Sequence, residues 1–504
     1  MPIESIATTV GAAWSGLALL LTWPNLLCLV AGTLIAMSVA ALPGVSGSTL
    51  MAIAIPLTFA WEPVPLMVLF GALVGGGTFM GSVTAILLNI PGTAPNAATA
   101  IDGYPLTQQG RAREAIGCSA TASALGSSVG IIALILMLPF VSRALSLVGP
   151  TELLVLALWG LLSVATVIRA SVLKGLIVAG LGLMVSFTGL DPVSAEARYT
   201  FGTLYLQDGF ALVPVFIGTF AVAEVIDLAA SGRARVADRP AGGGLHGSLT
   251  EGIRSVFRHP GLFLKSSLIG TGVGVMPGLG GTVAAFVAYG EAQRSAGSGG
   301  RFGQGDIRGV LAPEAANDAK DGGSLLPALA FGIPASAGTA LLIAALQIHG
   351  IRPGVELLQQ RLDLAFVLIW SLFLSNWITS IVGLALARPM VALADLRVSR
   401  LASIVLVLAA VGALSYRGSG ADVAVAFGFG VVGYAMKRHG WPRIAFVIAF
   451  ILGPLVEVNL HLALSLHALG RINLWTSPTV LAGAAVVLVT VLAPRWLQLR
   501  GRAA

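Results

Sequence analysis

Residues 42–49 read Leu42-Pro43-Gly44-Val45-Ser46-Gly47-Ser48-Thr49 and lie inside a long apolar run. Proline removes a backbone donor and clashes with the preceding turn, while glycine lets the chain bend where other residues cannot. A helix through this run must therefore break here. The same interruption returns in the second half as Met276-Pro277-Gly278-Leu279-Gly280-Gly281-Thr282. Each half then carries a second break. One is Asn89-Ile90-Pro91-Gly92-Thr93, and the other is Gly332-Ile333-Pro334-Ala335-Ser336.

The surroundings say what medium these breaks lie in. Of 504 residues, 56% are apolar and only 10% charged, and the mean hydropathy is +0.91. Soluble domains carry roughly 25% charged residues. A soluble fold of this length would lack the charge to cover its surface, whereas a lipid-facing surface needs none. The 63 glycines sit within apolar runs without a strict period, as in membrane helices that approach closely. The two cysteines, Cys28 and Cys118, have no metal or redox spacing and read as buried thiols. The net charge of +7 comes from basic residues in short loops. That is a topology signal rather than a nucleic-acid-binding surface. The start, MPIESIATTV, has no basic n-region and is not read as a cleavable leader.

The fold class expected is all-α and integral to the membrane: a polytopic bundle of about 11–13 segments, given roughly 17–25 residues per span. Candidate spans lie at 15–40, 64–88, 114–140, 151–168, 172–190 and 208–231. In the second half they lie at 262–288, 322–348, 363–388, 401–416, 421–437, 444–466 and 477–494. Residues 232–260 form a polar linker with Arg233, Arg235, Arg239, Arg254 and Arg258. The positive-inside rule places that linker and the basic C-terminus in the cytoplasm. The division is residues 1–231, a first repeat; 232–260, the linker; and 261–504, a second repeat with C-terminal helices. Loop charges and span parity give the two repeats opposite orientations.

Paired Gly/Pro-interrupted segments at matching places in two halves mark the binding site of many secondary transporters. Backbone groups freed at such breaks cannot face lipid, so the breaks line a protein-enclosed cavity. Helix N-termini there turn partial positive charge toward an anion. The residues expected to contact substrate are Pro43, Gly44, Ser46, Gly47, Ser48, Thr49, Asn89, Pro91, Gly92 and Thr93 in the first half. Their counterparts are Pro277, Gly278, Gly280, Gly281, Thr282, Pro334, Ser336 and Thr339. For the hydroxyls the plainer reading is helix capping. Ala94 and Asn96 flank the Asn89 break.

Five residues are candidates for cation coupling: Asp102, Glu314, Asn317, Asp318 and Glu457. Asp102 could instead neutralise Arg111 or Arg113. Glu314, Asn317 and Asp318 lie either at membrane depth, where an ionisable residue is costly and functional, or in an exposed loop ahead of a span. Glu457 interrupts an apolar run and could equally make a structural hydrogen bond. His461 and His467 read as interfacial rather than as metal ligands. Glu224 and Asp227, at a span end, read as surface ion-pair partners.

With these motifs on the page, the chain resembles the TctA family, the large membrane subunit of the tripartite tricarboxylate transporters. Three stretches carry the likeness: ALPGVSGSTLMAIAIPLTF (41–59), LLNIPGTAPNAATAIDGYPLTQQG (87–110) and the region 270–354, with VMPGLGGTVAAFVAYGEAQR and APEAANDAKDGGSLLPALAFGIPAS. GYAMKRHGWPRIAFVIAFILGPLVEVNL (433–460) resembles the family's last region. The resemblance implies a multi-pass inner-membrane permease importing tricarboxylates or related carboxylates by symport with Na+ or H+. It also implies a periplasmic solute-binding protein and a small membrane subunit as partners. No cofactor beyond the coupling ion is expected, and the oligomeric state is left open. Two departures bear on substrate identity. The first motif reads PGVSGST where the family more often has PG-small-GPT. Lys320 and Asp321 stand where small or amide residues are commoner, and a cation there could pair with Asp318 or Asp321, or reach a substrate carboxylate.

Rival classes leave weaker traces. No GxxxxGK[ST] loop supports an ATP-driven pump. No HExxH motif supports a metalloenzyme, and Gly44–Gly47 lacks the pattern of a nucleophile elbow. A passive channel, or a scaffold subunit of another membrane complex, is the alternative to a transporter.

Overall fold

The computed structural model describes residues 2–42, 47–145, 148–167, 172–230, 246–392 and 398–471, with a few positions between 478 and 485. In chain order the first half gives α1 (Pro2–Leu20), α2 (Trp23–Ala40), α3 (Gly47–Leu57), α4 (Pro63–Gly76), α5 (Thr78–Leu88), α6 (Asn96–Gln108), α7 (Ala112–Leu145), α8 (Pro150–Val167) and α9 (Val172–Ser186). A two-residue antiparallel ladder, Gly189–Leu190 with Ala197–Arg198, follows. Then come α10 (Leu212–Phe216), a π-helical turn (Ile217–Val222) and α11 (Ala223–Ala230). The second half gives α12 (Leu249–Arg258), α13 (Pro260–Val275), α14 (Gly280–Ala296), α15 (Arg308–Phe331), α16 (Ala337–Ile348), α17 (Leu362–Ala392), α18 (Val398–Arg417), α19 (Gly420–Arg438) and α20 (Arg443–Ala468).

The chain is an all-α polytopic membrane protein. Among the described residues, six helices are long and apolar enough to cross a bilayer and six shorter ones are apolar. Their outward faces carry large apolar side chains such as Leu136, Phe140, Ile381 and Ile404, which lipid accepts without cost.

Three expected spans are corrected. The run 15–40 is two helices, because Thr22 Oγ1 and Asn25 Nδ2 both donate to Leu19 O, at 2.9 and 2.8 Å, and close a turn there. The run 262–288 parts between α13 and α14. The run 322–348 starts earlier, at Arg308, and parts between α15 and α16. The first part of the polar linker (232–245) and twelve of the eighteen positions of the expected span 477–494 lie outside the described residues. The rest of the linker is not simply a loop. It forms α12, capped by Ser248, which accepts from Glu251 N, and α12 lies along α7.

The packing is reciprocal between the halves. α12 lies on α7 as α1 lies on α17, and α15 packs on α7 as α4 packs on α17. Likewise α13 packs on α15 as α2 packs on α4, and α20 lies on α9 as α19 lies on the π turn before α11. The α4–α17 seam is drawn close by Gly71 and Gly75. Along it Ser371, Ser375 and Thr379 donate to the carbonyls of Val68, Ala72 and Gly76 at 2.6, 2.9 and 3.2 Å. Without water, these interhelical bonds and small-residue contacts replace the hydrophobic effect as the binding force.

Helix α15 is gripped by glycine on both sides. Gly126 and Gly130 of α7 face the carbonyls of Ala315 and Ala319, while Gly270 and Gly274 of α13 face those of Ala316 and Lys320. A side chain at any of the four would overlap backbone. Gly272, on the exposed side of α13, meets nothing within 4 Å. Gly274→Val is therefore expected to cost about 1–3 kcal/mol through overpacking, and Gly272→Val less than about 0.5. Apparent melting temperatures of the two variants in detergent check this; equal melting would refute the grip.

Candidate functional site

The breaks in the two halves meet. Helix α5 ends at Asn89 in the left-handed conformation (φ 56°), with the N–H groups of Asn89 and Ile90 donating to Ala85 O and Thr84 O. Helix α15 ends identically at Gly332 (φ 66°), with Gly332 and Ile333 donating to Ala328 O and Pro327 O. Both satisfy carbonyls that a helix end leaves open. After each cap comes Ile-Pro, and the chain turns into a new helix. Ser336 caps α16 in a reciprocal box: its Oγ accepts from Thr339 N at 3.2 Å, and Thr339 Oγ1 accepts from Ser336 N at 2.8 Å. Gly278 (φ 82°) donates its N–H to Ala335 O at 3.1 Å, tying the two breaks of the second half together. In the first half Gly92 donates to Gly81 O at 3.2 Å.

Between these breaks lies a cavity of about 540 Å³. The starts of α3, α6, α14 and α16 border it, through Gly47 and Ser48, Thr93 to Pro95, Gly278 to Val283, and Ala335 to Thr339. Helix α15 adds Asn317, Lys320 and Asp321. Of the expected contact residues, Gly47, Ser48, Thr93, Gly278, Gly280, Gly281, Thr282, Ser336 and Thr339 line it. Thr49, Gly92, Pro277 and Pro334 are buried and lie outside its lining. Asn89 and Pro91 border a separate pocket of about 330 Å³ with Ile101 and Tyr104. Pro43, Gly44 and Ser46 lie outside the described residues.

Behind one wall runs a row of buried polar groups on one face of α15: Glu314, Asn317, Asp318 and Asp321. The exposed-loop reading of this stretch is corrected: it is helix interior, sealed by α7, α13 and α14. Glu314 accepts four hydroxyl bonds. Ser82 (2.7 Å) and Thr99 reach Oε1, and Ser119 (2.7 Å) and Ser123 (3.2 Å) reach Oε2. Ser82 in turn accepts from Asn96 Nδ2 at 2.6 Å, and Asn96 Oδ1 accepts from Thr93 N at 3.0 Å. A hydrogen-bonded chain thus runs from Thr93 at the cavity wall to Glu314. One turn on, both carboxylate oxygens of Asp318 and both amide atoms of Asn317 have no hydrogen-bond partner among the described residues. Asp321 pairs through Oδ1 with Lys320 Nζ, and its Oδ2 has no such partner.

The other candidate cation residues lie elsewhere. Asp102 is buried and accepts from Tyr289 Oη (2.9 Å) and from the backbone N–H groups of Gly303, Gly305 and Asp306 (2.8–2.9 Å). It pins α6 to the loop ahead of α15. The arginine reading of Asp102 is not what the structure shows, since Arg111 pairs with Glu114 at 2.5 Å. Glu457 pairs with Arg198 at 2.5 Å, and the same guanidinium reaches Asp191 at 3.0 Å. Ligand atoms of Asp191, Glu457 and His461 lie within 4.8 Å of one another, and that guanidinium supplies the cation of the cluster. The backbone N–H groups of Ser194 and Val193 hold the Asp191 carboxyl below its usual range. Glu224 binds Lys437 (2.5 Å) and Arg443 (3.3 Å), and Asp227 binds Lys437 (2.7 Å).

Sequence reasoning missed Ser82, Thr99, Ser119 and Ser123. A signal existed for two of them: Ser119, Ser123 and Ser127 recur every fourth residue and share one face of α7. Gly126–Gly130 also has GxSxG spacing, but it lies within continuous α7 helix, where Ser128 Oγ donates to Ala124 O at 2.8 Å. A nucleophile elbow needs a strand-to-helix turn, and none exists there.

Comparison with known proteins gives four findings. The profile of the family described as "Tripartite tricarboxylate transporter TctA family" matches residues 26–448. An uncharacterised 52.8 kDa protein from the TAR-I ttuC' 3' region of Agrobacterium vitis is 30% identical over 471 residues, covering 94% of this chain and 93% of its own. A second, from the TAR-II ttuC' 3' region of the same organism, is 31% identical over 195 residues, covering 39% of this chain and 81% of its own. No solved structure matches the chain.

The Glu314 cluster makes a direct prediction. Glu314→Gln turns one acceptor atom into a donor facing hydroxyls that already donate. The expected loss is about 1–3 kcal/mol, seen as a lower apparent melting temperature than for Ser123→Ala, which removes one bond. A Gln variant as stable as the parent would refute the four-bond arrangement.

Proposed function

This chain belongs to the tripartite tricarboxylate transporter TctA family, and from that membership we propose that it is the permease through which a carboxylate crosses the inner membrane by symport with Na+ or H+. It takes the solute from a periplasmic binding protein and works with a small membrane subunit. The halves 1–231 and 261–504 act as inverted repeats around the cavity, with the linker 232–260 and the C-terminus on the cytoplasmic side.

One observation carries the reading. Four helix starts, two from each half, border one cavity that also contains the ammonium-bearing Lys320. Open N–H groups at a helix start, with the helix dipole behind them, favour an anion. Hydroxyls of Ser48, Thr282 and Ser336 add donors that suit carboxylate oxygens. The polar lining is sparse and fixed, and the remaining walls are apolar, as in a site for a small solute.

The coupling ion belongs behind the wall, at Asp318. A carboxylate taken from water without a partner is expensive in the interior, and a cation or proton arriving there removes that cost. Glu314 is already saturated with donors and Asp102 is committed to a loop. That leaves Asp318 and Asn317 as the exchangeable groups.

The test is uptake of labelled citrate and other carboxylates into vesicles holding this chain, its small subunit and its binding protein, with and without an imposed sodium or proton gradient. Accumulation against a gradient is expected to need the binding protein and one cation. Thr282→Ala and Ser336→Ala are expected to slow uptake about 2–10-fold, as a lost hydrogen bond would. Asp318→Asn should abolish gradient-driven accumulation. Equilibration without cation or partners would favour a passive channel and sink the symport reading.

A further inference from the structure

Lys320 is the one cationic side chain among the described residues lining the cavity. Its backbone carbonyl packs closely against Gly274 of α13. Its terminal carbon lies by Gly281 in the first turn of α14, where an added Cβ would sit 2.7 Å away. The ammonium is therefore presented beside a helix start that borders the cavity. Yet its charge is spent, because it is paired with Asp321, whose side chain is only 5% exposed. A carboxylate entering the cavity meets a neutral pair rather than a free cation.

The other half of the arrangement lies deeper. Asp321 Oδ2, both Asp318 oxygens and the Asn317 amide oxygen have no hydrogen-bond partner among the described residues. All three residues are nine-tenths or more buried on α15, with Asp321 three residues from Asp318 and four from Asn317. Residues at that spacing have side chains within reach of each other. Carboxylate and carbonyl oxygens are the ligand set of hard cations, and an amide oxygen serves such an ion better than it serves a proton.

Resting on the reading that the cavity takes a carboxylate, we propose that Na+ and substrate bind together by splitting the Lys320–Asp321 pair. The ammonium turns to the substrate carboxylate, and Asp321 joins Asp318 and the Asn317 oxygen around the sodium ion. Each ligand alone leaves one member of the pair buried without a counter-charge. Together they leave each member of the pair with a counter-charge, since one carboxylate group meets the ammonium and one sodium ion meets Asp321. Their affinities are then linked, and linkage is reciprocal.

The experiment is calorimetric binding of citrate to the purified chain in lipid nanodiscs, with NaCl exchanged for choline chloride at constant ionic strength. Removing sodium is expected to weaken citrate binding to the parent chain by about ten- to a hundred-fold, the scale of a hydrogen-bonded charge pair. Asp321→Asn frees the ammonium, so it should bind citrate about ten-fold tighter than the parent in choline, with its sodium dependence flattened. Lys320→Gln should weaken citrate in both salts yet still bind radioactive sodium, because Asp321 is then unopposed. In the double variant the gain from Asp321→Asn should vanish. Sodium-indifferent citrate binding by the parent, or an Asp321→Asn chain that binds citrate no tighter, overturns the exchange while leaving the carboxylate cavity standing. A parent chain that binds no member of a citrate, succinate and malate panel in either salt overturns the cavity reading itself, and the exchange with it.

Discussion

A peptide group released from a helix inside a membrane must find a partner within the protein, because lipid offers none. The rest of this structure depends on how that demand is met. At Asn89 and Gly332 it is met by a left-handed cap that returns two N–H groups to the last turn. At Ser336 it is met by the side chains of the new helix. At Gly278 it is met across the gap, by a carbonyl of the neighbouring break. These solutions fasten one break to another. Helix starts fastened in this way border one space, so a cavity lined by N-termini is a consequence of closing the backbone account as much as of any ligand.

The two halves use the same hydroxyl ladder for different ends. On α17, Ser371, Ser375 and Thr379 donate to carbonyls of α4. On α7, Ser119 and Ser123 donate to Glu314 of α15. Counted back from the left-handed caps, Glu314 and Asp318 occupy the places that Gly71 and Gly75 hold in the first half. A side chain at Gly71 would run into Ser371, and one at Gly75 into Asn376. One seam is therefore a backbone-to-hydroxyl zipper of structural character. Its counterpart carries two buried carboxylates at those places. The asymmetry puts charge on one side of the cavity only.

The sequence states the membrane class openly, because scarcity of charge and recurring apolar runs are properties of composition. The breaks are legible too, since Pro and Gly announce them. Span limits are not. The run 15–40 contains its own break at Leu21–Thr22, which a hydropathy average passes over. Arg308–Asp321 fails in the opposite sense. Its Glu, Asn and Asp residues look like surface, and they are interior only because partners from α5, α6 and α7 come to meet Glu314. Those partners are far away in sequence, and no local pattern joins them. Asp102 shows the same limit. Its partners are the N–H groups of the loop Gly303–Asp306, and backbone donors leave no mark in the residue alphabet.

Glu314 and Asp318 sit one turn apart on the same buried helix, yet one accepts four hydroxyl bonds and the other has no hydrogen-bond partner among the described residues. Shortage of hydroxyls does not explain the difference, since Ser127 continues the α7 ladder and its Oγ also has no hydrogen-bond partner among the described residues. A purely structural seam would have satisfied both acids or dispensed with both, because an unpaired buried carboxylate costs more than the apolar side chain it displaces. Glu314 is better understood as the fixed member. Its hydroxyl set reaches through Ser82 and Asn96 to Thr93 at the cavity wall, so it anchors α6 and α5 to α15. Asp318 is the member whose state is left to be completed. On the proposed symport reading, the cost it carries when unpaired is the free energy that a coupling ion would recover on arrival, and it lies one turn from Asp321, which lines the cavity.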